Sequence, residues 1–180
     1  MWRGFVRQLA RPTWRQCLVL LPLLMGAAAP ACAQLLARAQ GPVVLALTGE
    51  ITQRNDGEQA VFDMAMLAAL PQRSFVTHTP WFKGPHEFSG PLLRDVLAQA
   101  GARGAMLRAY ALNDYKVELP VEDAMRYDVI VARLLDGQPM TVRQKGPLFV
   151  IYPFDQDEKL RVERYYSRSA WQLKRIEVRR

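Results

Sequence analysis

Three short segments of the chain gather side chains that can hold a ligand or act on one: Thr77-His78-Thr79-Pro80-Trp81, Asn113-Asp114-Tyr115 and Arg143-Gln144-Lys145-Gly146-Pro147. Hydroxyls, an imidazole, amides and cations at strand ends or in loops point outward without disturbing a core. Asn, Asp, Gly and Pro also favour turns for their own backbone reasons, so turn chemistry is the competing explanation. The only histidines, His78 and His86, stand eight apart across a loop, and no third or fourth ligand follows at a recognised metal spacing. The serines lack a nucleophile-elbow context, and Gly101-Ala102-Arg103-Gly104 follows a helix where a phosphate loop would precede one. Asp155, Asp157 and Glu158 read as a solvated turn. The two cysteines are Cys17 and Cys32, both near the start.

The elements that must carry these segments follow from apolar patterning. Val43 to Gly49 reads as a buried strand, Asn55-Asp56-Gly57 as a turn, and Asp63 as the cap of a helix from Met64 to Leu70 closed by Pro71. Ser74 to Thr79 alternates as a strand and Pro80 ends it; Trp81 to Phe88 reads as an aromatic loop. Ser89-Gly90-Pro91 is expected to open a helix burying Leu92, Leu93, Val96, Leu97 and Ala100, with Gly101 as its C-terminal cap. Strands are expected at Met106–Leu112 and Tyr115–Leu119, a short helix at Val121–Arg126, and a hairpin of Asp128–Leu135 with Gln138–Val142 around Asp136-Gly137. Leu148 to Tyr152 reads as a central strand and Ser169 to Val178 as the last one. Mixed strands with a few short helices, without steady alternation, make the fold class α+β.

Composition narrows the setting. Among 180 residues, 50% are hydrophobic and 23% charged, which excludes a disordered chain. The net charge of +7 invites a nucleic-acid reading. Yet Arg3, Arg7, Arg11 and Arg15 lie in an acid-free leader, ahead of the apolar run Cys17–Ala29 and the small-residue site Ala31-Cys32-Ala33. That arrangement is a secretory signal peptide over residues 1–33, cleaved before Gln34, with a single domain at 34–180 in the periplasm or outside the cell. The run is too short for a membrane span. Without the leader the charge excess is small and the cysteines are gone, so nucleic acid is not an expected partner and no disulfide or thiolate is expected.

Several segments in order resemble the molybdopterin-binding oxidoreductase domain of the sulfite oxidase family. They are Leu67-Ala68-Ala69-Leu70-Pro71, the strand Phe75–Thr79, Phe88-Ser89-Gly90-Pro91-Leu92-Leu93-Arg94-Asp95-Val96-Leu97 with Ala100-Gly101, Asn113-Asp114-Tyr115 through Leu119-Pro120, Lys145-Gly146-Pro147-Leu148, and Trp171-Gln172-Leu173-Lys174-Arg175-Ile176. The resemblance implies that family's fold from about Val43 to Val178, and a molybdenum held by a cysteine just after the Phe75–Thr79 strand. Thr79-Pro80-Trp81 stands there instead, and Phe149 replaces an arginine that often follows the Gly-x-Pro strand. The leader has no Arg-Arg pair, so the route for folded cofactor-loaded cargo is not expected.

Two main readings remain open. In one, the old cofactor cleft takes a small anionic or polar ligand, and no cofactor is expected. Its lining would be Thr77, His78, Thr79, Trp81, Asn113, Asp114, Tyr115, Arg133, Arg143 and Lys145, with Arg133 and Lys145 making it electropositive. In the other, the protein is an oxidoreductase that binds molybdopterin with a non-thiolate metal ligand. A membrane-bound sensor or redox protein is the partner class in a third.

Overall fold

The computed structural model describes residues 36–180; the basic leader, the apolar run, both cysteines and the expected cleavage site lie outside the described residues.

The larger sheet has five strands. Its first, β1 (Val43–Gly49), buries Leu45 and Leu47 on one face and ends at Gly49, whose φ of 86° turns the chain. The expected turn follows, with the Asn55 side chain bonded to both the N–H and the carbonyl of Val61, and β2 (Ala60–Asp63) returns antiparallel to β1. The last strand, β11 (Leu173–Arg179), inserts parallel to β1, and β5 (Met106–Ala111) and β6 (Lys116–Pro120) complete the order β2-β1-β11-β5-β6. The first and last strands of the described residues therefore lie side by side within the sheet.

Helices cover one side. Asp63 caps α1 (Met64–Ala69) by accepting from the Met66 N–H, and its other oxygen accepts from the N–H groups of Gln40 and Gly41, each at 2.8 Å. These backbone donors hold its carboxyl below the ordinary value. The helix α2 (Leu93–Gln99) buries Leu93, Val96 and Leu97 in the same core as Leu45, Leu47, Leu107 and Ile176. It ends as expected: Gly101 has φ 60°, its N–H donates to Ala98 and that of Ala102 to Leu97. The third helix, α3 (Val121–Arg126), has the predicted bounds.

A second sheet runs β3 (Gln72–His78), β4 (Pro85–Pro91), β8 (Leu134–Leu135) and β9 (Gln138–Pro139) in that order. Beside it, β7 (Ile130–Ala132) pairs with β10 (Phe149–Ile151) as a two-stranded ribbon. Ile130, Ala132, Phe149 and Ile151 face a core shared with Phe75 and Phe88, while Val129, Val131, Leu148, Val150 and Tyr152 face the core of the large sheet. Burial on both faces explains why Leu148–Tyr152 is apolar without alternation.

Five expectations are corrected. The loop Trp81–Phe88 ends early, because Pro85–Phe88 is the first half of β4, paired with Phe75–His78. Ser89-Gly90-Pro91 does not open a helix: it is the end of β4, paired with Gln72–Ser74, and the helix starts at Leu93. Gly90 is there because a Cβ would collide with the Val131 carbonyl, so its backbone packs directly on β7. The hairpin arm Asp128–Leu135 breaks at Arg133, whose N–H donates to Ser89, and Val142 belongs to a 3-10 turn, Val142–Gln144. The run Leu148–Tyr152 is central in burial but pairs with one strand only. The final strand starts at Leu173, after Gln172 at φ 50°, and a helix α4 (Glu163–Arg168) precedes it.

Candidate functional site

The end of β3 is clamped. Strand alternation turns Thr77 inward, 1% exposed, where its Oγ1 accepts from the Asp155 N–H at 3.1 Å. Asp155 answers: its Oδ2 accepts from the His78 N–H at 2.9 Å and lies 2.8 Å from His78 Nδ1, while Arg161 reaches its Oδ1 at 3.0 Å. Burial alone raises the Asp155 pKa, but the His78 bonds and the Arg161 charge outweigh it and hold the carboxyl below the ordinary value. The acidic cluster is therefore no mere solvated turn: Asp155 ties the loop after β10 to β3, and Asp157 caps a 3-10 turn, Glu158–Leu160.

A depressed carboxylate stabilises the fold fully above its unfolded pKa and loses that contribution as pH falls through the folded one. The gap in melting temperature between wild type and Asp155→Asn should be constant near neutrality and shrink below about pH 4. A gap that stays constant down to acid unfolding would show that the charge of Asp155 does not act in the clamp.

Next to the clamp lies a cavity of about 290 Å³. Pro80 and Trp81 enter it from the end of β3, Tyr115 and Val117 from β6 and the turn before it, Glu163 and Tyr166 from α4, and Trp171 from the approach to β11. A more open hollow of about 420 Å³, lined by His78, Thr79, Asp155 and Arg161, shares Pro80 and Tyr166 with it. Trp81 meets Trp171 at 5.8 Å and Tyr166 at 6.2 Å between ring centroids, both nearly perpendicular.

The α4 wall is fixed from beneath. Asp123, buried on α3, accepts from the Tyr152 hydroxyl and from Arg168 Nη1, both at 2.8 Å. Burial and the neighbouring carboxylate push the Tyr152 phenol far up, so it stays a neutral donor. The Tyr127 and Tyr165 hydroxyls meet at 3.2 Å beside this pair.

The ten residues expected to line a cleft distribute unevenly. Trp81 and Tyr115 line the cavity, His78 and Thr79 line the adjoining hollow, and Thr77 lines neither, being held in the clamp. Asn113 caps its own turn, accepting from the Tyr115 N–H at 3.2 Å. Asp114, at φ 63°, pairs with Lys174 at 2.8 Å, a bond that holds its carboxyl down. Lys145 lines neither hollow, and its Nζ lies 4.0 Å from the Trp171 ring centroid. Arg143 is exposed on its 3-10 turn and lines neither hollow. Arg133 stands apart: Nε donates to Gln72 at 2.8 Å, at the opposite end of β3 from His78. Among the described residues the expected electropositive lining is not found in the cavity, and Glu163 is the one charged side chain there.

A family model described as the oxidoreductase molybdopterin binding domain matches residues 52–156. The chain belongs to that family. The matched span of this molybdopterin-binding domain covers β3, the clamp residue Asp155 and the β5–β6 turn, and ends before α4 and β11. No curated protein matches the chain.

The cavity and the hollow share Pro80, which lies in the stretch Thr79-Pro80-Trp81 that follows the Phe75–Thr79 strand, the stretch in which the resemblance implies a molybdenum-binding cysteine. The donors at that point are hydroxyl, imidazole, carboxylate and indole, and none is a soft thiolate. Among the described residues no three His, Cys, Asp or Glu side chains gather to hold a metal. This donor set does not fit a thiolate-ligated molybdenum.

Glu163, Tyr166 and Trp171 were not among the expected site residues. The first two, with Ser167, stand at i, i+3 and i+4, the spacing of one helix face; the polar stretch Glu163–Arg168 hid that helix because it lacks an apolar stripe.

Proposed function

We propose that this member of the molybdopterin-binding oxidoreductase family is an exported, non-redox binding domain whose ligand occupies the cavity at the end of β3. The observation that carries this reading is chemical. At the point where the family would set its metal-binding cysteine, the chain offers Thr79-Pro80-Trp81, and the space beside it is walled by aromatic rings. A threonine hydroxyl is a hard, neutral donor and a weak replacement for thiolate on molybdenum. Aromatic walls with few convergent polar groups are the usual make-up of a small-molecule site. The basic leader, short apolar run and Ala31-Cys32-Ala33 site support export without the address used by folded cargo. In this reading the fold is retained as a scaffold while the site has been refitted, since function belongs to sites and not to folds.

Family membership favours a second reading, an oxidoreductase whose cofactor is held without a protein thiolate. One experiment separates them. The protein purified from its own cells should contain far less than stoichiometric molybdenum by elemental mass spectrometry, and its intact mass should correspond to a chain starting at Gln34. One molybdenum per chain would overturn the non-redox reading, and a chain starting at Met1 would overturn export.

A further inference from the structure

We infer that the cavity walled by Trp81, Tyr115, Tyr166 and Trp171 binds a small organic cation, a methylated ammonium group, with Glu163 supplying the balancing charge. The inference rests on the ligand-site reading above and names the ligand class for that same site.

Four aromatic side chains contribute to one cavity of about 290 Å³, near the lower end of ligand sites at roughly 300–1,000 Å³. The chain has four tryptophans, and both of those among the described residues are in this wall. Trp81 stands nearly perpendicular to both Trp171 and Tyr166, at 83° and 86°, so the walls close on the space from different directions. Ring faces carry negative potential, and such a box is the usual receptor for a quaternary ammonium.

The polar groups select the same class. The serine donors of the lining are engaged: Ser167 Oγ donates to the Arg164 carbonyl and Ser169 Oγ to that of Tyr165, each at 3.0 Å, while the Ser169 N–H donates to Tyr166. Among the described residues no basic side chain lines the cavity, and Glu163 is its only formal charge. A methylated ammonium has few or no N–H groups, is weakly hydrated, and needs no acceptor beyond the rings and one carboxylate. Trp171 already holds one cation: Lys145 Nζ lies 4.0 Å from its ring centroid.

Lys145 gives the inference a sign. Its charge sits on the Trp171 ring without being part of the cavity lining, repelling a bound cation and attracting a bound anion, so Lys145→Met should tighten a cation and loosen an anion.

The test is calorimetric titration of the purified protein with choline, with tetramethylammonium, with the neutral choline isostere carrying a tert-butyl group, and with sulfate. The cations should bind about tenfold more tightly than the isostere. Lys145→Met should tighten choline severalfold at low salt. Glu163→Gln, on an exposed first helical position, should weaken choline about threefold and leave the isostere unchanged. Trp171→Leu should remove the preference for choline over the isostere; should that variant fail to fold, the Lys145 and Glu163 variants carry the test alone. Equal binding of choline and its isostere would overturn the inference, as would sulfate binding that Lys145→Met weakens, and in both cases the ligand-site reading would stand. Absence of binding by every probe would also overturn it, and the molybdenum measurement would then judge the ligand-site reading by itself.

Discussion

Replacing Asp123 with alanine should destabilise the protein by about 3–5 kcal/mol, because it removes one partner of a buried ion pair and strands the other. Two groups depend on that carboxylate. Arg168 is about three-quarters buried and would keep its charge without a counter-ion, and the wholly buried Tyr152 would keep a hydroxyl with no acceptor. Replacing Tyr152 with phenylalanine removes a donor and leaves Asp123 with Arg168, so that change should cost only about 1 kcal/mol. Urea denaturation of both variants, with Arg168→Met and the Asp123–Arg168 double variant, checks the assignment: the double variant should lose clearly less than the sum of its parts. Additive losses would mean that the two side chains do not act as a unit. A loss for Asp123→Ala below about 1 kcal/mol would mean that water replaces the carboxylate freely.

The same pair connects stability to the cavity. Asp123 is on α3, Arg168 is the last residue of α4, and α4 carries Glu163 and Tyr166 into the ligand wall. A six-residue helix has little stability of its own, so its position depends on such tertiary anchors.

Elements whose signal is local were legible in the sequence. The β1 strand, the Asp63 cap, α3 and the Gly101 terminus each rest on a few adjacent residues, and each appears where those residues put it. Elements decided by distant partners were not. Gly90-Pro91 has the local chemistry of a helix start, but the backbone there pairs with Gln72 and Arg73 and packs on Val131, neither of which is a neighbour in sequence. Arg133 breaks an apparent hairpin arm because its two sides serve different partners: β7 pairs with β10 and β8 with β4.

The site was legible to the same extent. The end of β3 and the β5–β6 turn stood out by composition, and the cavity draws on both through Trp81 and Tyr115. The cationic candidates Arg133, Arg143 and Lys145 could be named by type, but a side chain's direction depends on the backbone beneath it. Arg133 is turned to Gln72 by the Ser89 bond, and Lys145 is turned onto the Trp171 ring. Asp155 was read as solvated because three acids in four residues look like a surface turn; His78, the residue it clamps, is 77 positions away.

Trp81→Ala should be the most damaging change within the cavity wall, costing about 3 kcal/mol, the lower end for removing a large aromatic side chain from a core because Trp81 is only partly buried. Trp81 packs against both hydrophobic cores. Its ring meets Phe149 at 5.3 Å and Trp171 at 5.8 Å, both belonging to the core under the second sheet, and Phe154 and Tyr166, which belong to the core of the large sheet. Alanine would leave these four rings facing a void at the junction of the two cores. The aromatic packing is directional, so Trp81→Phe should recover more than half of the loss, whereas Trp81→Leu, with comparable apolar character but no ring, should recover less. Guanidinium denaturation of the three variants measures this order. If leucine restored as much as phenylalanine, the indole would be acting as apolar filler and the edge-to-face contacts would contribute little. The predicted order, alanine least stable and phenylalanine most, would place the stability of the junction in ring geometry, in the residue that also shapes the cavity where the family resemblance sets a cysteine.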